Sequence, residues 1–203
     1  MIKKAIRWEI AVWVSLYRLT FRRPEPIEPG ARSFGYTRPI APVLGVFIAV
    51  SAIDIVAVDL ALRHFLPTWG WLRVVALILG FWGLLWMIGL AANLLTHRHL
   101  AGPSGLRVRH SHTIDLTLPW HTIAAIRAQS RYLIESDTVQ RDGDVVSIAI
   151  SSLTAIDVIF REPITLDLPK GPAEGVTELR FHTDQPDELI THARPFLTDP
   201  VTA

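Results

Sequence analysis

The chain has 203 residues, of which 50% are hydrophobic and only 19% charged, with a formal net charge of +1. A soluble domain carries about 25% charged residues, so this balance points to lipid as a partner and away from nucleic acid, which needs a clustered basic surface. No cysteine is present, which excludes disulfides, a thiolate nucleophile and a Cys-ligated metal.

Residues 1–23, beginning "MIKKAIRWEIAVWVSLYRLTFRR", start like a signal peptide, but Glu9 and Arg18 interrupt the apolar part and no small-residue cleavage site follows. Helical spacing sets Lys3, Arg7, Arg18 and Arg22 near one stripe and Ile2, Ile6, Trp13 and Leu16 largely elsewhere. That pattern predicts an amphipathic helix, lying either on the membrane surface or on the protein itself. Pro24, Pro26, Pro29 and Gly30 then mark residues 24–39 as a Pro-rich linker.

Residues 40–95 read as a transmembrane hairpin, with spans at 40–62 and 71–95. Each is close to the roughly 20 residues that cross the hydrocarbon core. The short "RHFLPTWG" between them makes the spans antiparallel, and Trp69, Trp71, Arg63 and Arg73 suit the interface. The first span contains Asp54 and Asp59. A central Asp costs about 2.5–3.5 kcal/mol, while each Leu, Ile, Val or Phe returns about 0.3–0.6 kcal/mol. Insertion of the first span is therefore near balance and is helped by the second span as a partner. Basic residues crowd the segment before the first span and recur after the second at Arg98, Arg107 and Arg109. The expected arrangement is a multi-pass protein of the inner (cell) membrane with both termini cytoplasmic.

Asp54, Asp59 and Asn93 are the candidate intramembrane polar residues. Five residues turn a helix by about 140°, so Asp54 and Asp59 are not expected to share a face or form a carboxylate pair. Asp54 is expected to be protonated or bonded within the hairpin, or to bind a partner helix, with proton chemistry as the alternative. Asp59 is expected near Arg63 at the outer surface.

After Leu95 short β-forming runs recur between turn signals: "LRVRHSH", "TIDLTLPW", "IAAIRAQSRYLI", "VVSIAISS", "AIDVIF", "ITLDLP" and "VTELRFHT". Alternations such as Leu106 and Val108 against Arg107 and Arg109 mark half-buried strands, about seven in all. Asp184 is placed to cap a closing helix from Pro186 to about Arg194, and residues 199–203 form a tail. The fold class is thus membrane α+β: a two-helix hairpin, then a β-rich domain over residues 97–198 with a C-terminal helix.

Within that domain the strand "LRVR" precedes the turn Leu118-Pro119-Trp120, and Ile123 and Ile126 follow it. On these residues the chain resembles bacterial membrane proteins that carry a PH-like domain. Overall it is similar to uncharacterised two-span proteins of high-GC Gram-positive bacteria. The resemblance implies a PH-like fold for 97–198 and carries no activity across, since PH-like folds bind phosphoinositides, peptides or neither. The few basic residues around Arg107, Arg109 and His110 weaken a phosphoinositide reading.

His97, His99, His110, His112 and His121 offer imidazoles, and residues two apart on a strand point the same way. No third ligand falls at a metal-motif spacing, so no metal is expected. Ser130, Ser151 and Ser152 lack a neighbouring base, and no phosphate, dinucleotide or hydrolase motif occurs. The expectation is a non-catalytic protein without cofactors. It would hold a PH-like domain at the cytoplasmic surface for protein docking or lipid contact, or serve as an accessory subunit of a membrane assembly, with a homo-oligomer possible. The alternative is an oligomeric transport or proton-coupled helper protein using Asp54.

Overall fold

The computed structural model describes residues 13, 14, 16, 17, 27–111, 113–135 and 137–198. These fall into two compact units, a helical one and a β-rich one.

In the helical unit α1 (Ala41–Phe65) and α2 (Gly70–Thr96) are joined by four residues. At 1.5 Å per residue they are about 37 and 40 Å long, against about 30 Å of hydrocarbon. Both are apolar on every side, the pattern of a helix that is either wholly buried or surrounded by lipid. Within this chain they are not buried. No residue of α1 is buried, and in α2 only Gly89, Ala92 and Asn93 are. Two helices therefore have the length and composition to cross a membrane. They pack closely where Gly80 meets Ile55: a Cβ on Gly80 would lie 2.8 Å from an Ile55 side-chain carbon. Trp69 stacks on Trp71 at the link, with ring centres 6.0 Å apart.

Most of the expected N-terminal helix, including Lys3, Arg7 and Arg22, lies outside the described residues. Trp13, Val14, Leu16 and Tyr17 are helical, and the Trp13 ring sits 5.2 Å from that of Trp82.

The β-rich unit holds nine strands among the described residues, not seven. One four-stranded sheet has the order β1-β2-β3-β4, formed by β1 (Arg32–Phe34), β2 (His99–Gly102), β3 (Gly105–His110) and β4 (Ile114–Leu118). A second sheet has the order β5-β8-β9-β7-β6. Its members are β5 (Ile123–Tyr132), β6 (Val139–Asp142), β7 (Val145–Ile148), β8 (Leu153–Leu168) and β9 (Gly171–Phe181). Neighbours are antiparallel except β7 and β9. The inner faces of both sheets meet in one core, with Leu106, Val108 and Leu116 from the first and Ile156, Val158, Leu179 and Phe181 from the second. The helix α3 (Pro186–Thr198) adds Leu189 and Ala193 to it.

Three sequence expectations need correction. The segment expected as a linker contains β1, whose Phe34 is fully buried and pairs with His99. Three residues are too few to display alternation, so the pattern was silent there. The runs "AIDVIF" and "ITLDLP" are one strand, β8. Pro163 between them sits where the pairing with β9 shifts register, a bulge position that needs no N–H. Finally, α3 passes Pro195 and runs to Thr198. Phe196 stacks on Trp120, with ring centres 5.3 Å apart, and this contact holds the last turn in place despite the missing N–H.

Turn chemistry fixes the rest. Gly105 has a φ of +144°, and a Cβ there would meet the Leu118 carbonyl oxygen at 2.5 Å. Ser151 and Ser152, both with positive φ, form the two-residue turn before β8, closed by hydrogen bonds between Ile150 and Leu153.

Candidate functional site

The three polar residues singled out in the apolar helices take different positions. Asp59 accepts from Arg63, one turn on at 3.0 Å, and from Arg73 across the hairpin. Two guanidinium groups thus converge on one carboxylate near the link. Asp54 lies midway along α1, exposed, and among the described residues no cation or hydrogen-bond donor reaches its carboxylate. Asn93 is buried in the last third of α2, where its backbone carbonyl accepts from the Thr96 hydroxyl.

Asp54 and Asp59 form no carboxylate pair, but they do share a groove of about 410 Å³, contrary to the angular expectation. The groove is wide enough to span both angular positions, running from Ser51 to Asp59 on α1 and from Arg73 to Met87 on α2. Ser51 donates to the Met87 sulfur at 3.3 Å, closing one end, and the Asp59–Arg73 pair closes the other. Between them Gly83 faces open space, with no atom within 4 Å of where a Cβ would sit. Sequence inspection found the carboxylates because charge inside an apolar run is conspicuous. It missed Gly83, because nothing local separates an open glycine from a packed one such as Gly80.

The histidines tell another story. His99 is fully buried on β2. Its Nδ1 accepts the Arg109 N–H at 3.0 Å, which leaves Nε2–H to donate to the His182 carbonyl at 2.9 Å. Burial holds its pKa down to about 3, against the raising effect of the His182 carbonyl and helped by the charges of His110, His182 and Arg109. A neutral imidazole with both nitrogens engaged has no lone pair for a metal. Tyr36, from the expected linker, packs 4.9 Å from the His99 ring and 5.8 Å from the His110 ring. Its hydroxyl accepts the Ser111 N–H at 2.9 Å, and burial pushes its pKa up to about 12. His110 and His182 are likewise held down by burial. His121 is exposed and His112 lies outside the described residues. Among the described residues no group of three metal-binding side chains converges.

Asp184 does not cap α3. Its carboxylate accepts the N–H groups of Thr37 at 3.1 Å and Arg38 at 3.0 Å, clamping the segment after β1 to the end of β9. His182 Nε2 stands 3.6 Å from the same carboxylate. The basic strand β3 is neutralised too. Arg107 makes two 2.6 Å bonds to Asp115, and buried Arg109 lies 3.5 Å from it. Partial burial raises the Asp115 pKa, but the Arg107 bonds and both arginine charges outweigh it and leave the carboxyl below its usual range.

Comparison with protein-family models, with curated proteins and with solved structures finds no match to this chain.

Proposed function

We propose that the chain is a non-catalytic integral protein of the cell (inner) membrane. Its helical hairpin anchors a PH-like domain at the cytoplasmic surface, where that domain docks a protein partner as an accessory subunit of a membrane assembly. The observation that carries this reading is the bracket around the hairpin. Phe34 on β1 pairs with His99 on β2, and α1 and α2 lie between them in the chain. Paired strands share one side of a membrane, so the number of crossings between them is even. Two apolar helices without a protein cover fit two crossings.

Further support comes from how the β-rich unit uses its polar groups. His99, Tyr36 and Asp184 are committed to backbone partners and Arg107 to Asp115. These four side chains serve the fold, which is in keeping with a docking role. The packing of α3 against two sheets supports the PH-like reading, with β1 as an addition to the expected plan.

The cysteine-free chain makes a labelling test clean. In intact cells a membrane-impermeant maleimide should label Thr68→Cys in the link and spare Glu174→Cys on β9 until the membrane is permeabilised. Labelling of Glu174→Cys in intact cells would refute the arrangement.

A further inference from the structure

The groove of the hairpin pairs a carboxylate that is uncompensated among the described residues with an open glycine. Contacts between the antiparallel helices set the levels: Asp59 with Arg73, Ile55 with Gly80, and Ser51 with Met87. Asp54 therefore stands level with the turn that contains Gly83, the point where the groove is open. Along α2 the lining residues Arg73, Ala76, Gly80, Gly83 and Met87 follow one stripe. At 1.5 Å per residue that stripe is about 21 Å long, which is four turns of an accompanying helix.

A carboxylate in hydrocarbon is costly unless something positive or hydrogen-bonding meets it. The hairpin cannot meet this need, because its arginines are Arg63 and Arg73 and both are bound to Asp59. A second copy's hairpin would bring the same two engaged arginines and another Asp54, which is a like charge. The missing complement is a cation about five residues, or about 7.5 Å, deeper than the Arg63–Asp59–Arg73 cluster.

We propose that this groove seats a transmembrane helix of another protein that carries one lysine or arginine at mid-depth, its charge on Asp54 and its backbone close against Gly83. The inference rests on the membrane reading above and names the chemistry of the partner.

The test uses the full chain in vesicles of phosphatidylethanolamine and phosphatidylglycerol, with a donor dye on Thr68→Cys. The probes are acceptor-labelled Leu/Ala helices of about 20 residues, with a central Lys, with that Lys moved five positions, or with Leu in its place. The central-Lys helix should associate saturably and about tenfold more tightly than the Leu helix, and the displaced Lys should lose that advantage. Asp54→Asn should reduce the central-Lys helix to the level of the Leu helix. Gly83→Leu should block both probes without disturbing the hairpin, since its side chain enters open space.

Equal association of the Lys and Leu helices, or an Asp54→Asn variant that binds undiminished, would overturn the proposal. So would energy transfer between two differently labelled copies that depends on Asp54, or Asp54-dependent binding of tetraphenylphosphonium in place of the helix. Alkaline carbonate separates the two levels. A chain that stays in the vesicles but ignores the probe sinks this inference alone, whereas a chain that washes off sinks the membrane reading with it.

Discussion

The β-rich unit and the helical hairpin both keep polar groups among apolar neighbours, but they complete those groups differently. In the β-rich unit His99 has a backbone partner on each ring nitrogen, and Asp184 grips two backbone N–H groups. In the hairpin Asp59 is doubly paired, whereas Asp54, five residues earlier, faces a groove with no partner among the described residues. A carboxylate or imidazole paired on each side, as at His99 and Asp184, specifies a fold. An open group specifies an occupant.

The sharpest way to break this comparison is acid. His99 has a folded pKa of about 3 against about 6.5 in an unfolded chain. Below pH 6.5 the unfolded state takes up a proton that the folded state refuses, so stability present above 6.5 is lost as the pH falls toward 3. By pH 4.5 the β-rich unit should be weakened by about 3 kcal/mol. His110 and His182 act in the same direction. Urea unfolding in detergent across this range, followed by hydrogen exchange of the β-strand amides, checks it, and His99→Gln should flatten the slope.

Next in size is the clamp. Asp184→Ala strands the N–H groups of Thr37 and Arg38 and should cost about 2 kcal/mol, read as a lower urea midpoint. In the hairpin, Gly80→Val drives a side chain into Ile55 and should cost about 1–2 kcal/mol. The same change at Gly83 should leave the thermal unfolding curve in place. Smallest is the Ser151-Ser152 turn. Asn-Gly suits its positive φ angles better than Ser-Ser, so Ser151→Asn with Ser152→Gly should raise stability by about 0.5–1 kcal/mol, visible as a higher melting temperature.

Legibility in the sequence followed the range of the interaction. The helices were readable to within a few residues, because twenty-odd apolar positions make a signal that needs no partner. Strands such as β3 and the end of β9 were readable by alternation, and α3 by its acidic first turn. What stayed hidden depended on residues far away in the chain. Phe34 becomes a strand residue only because His99 lies opposite it, and Asp184 looked like a cap because its true partners, Thr37 and Arg38, lie nearly 150 residues earlier. Among the site residues the charges were visible, but their state of pairing was not. Asp54 and Asp59 look alike in one dimension and differ only once Arg73 folds back.

The position of β1 also sets an order of events at the ribosome. Its pairing partner, β2, is translated only after the 25 residues of α1 and the 27 of α2. At about 5–20 residues per second the early strand waits several seconds, without its partner, while the two apolar helices are made. The sheet that it begins is completed only after both apolar helices have been made, so the β-rich unit cannot close before the hairpin exists.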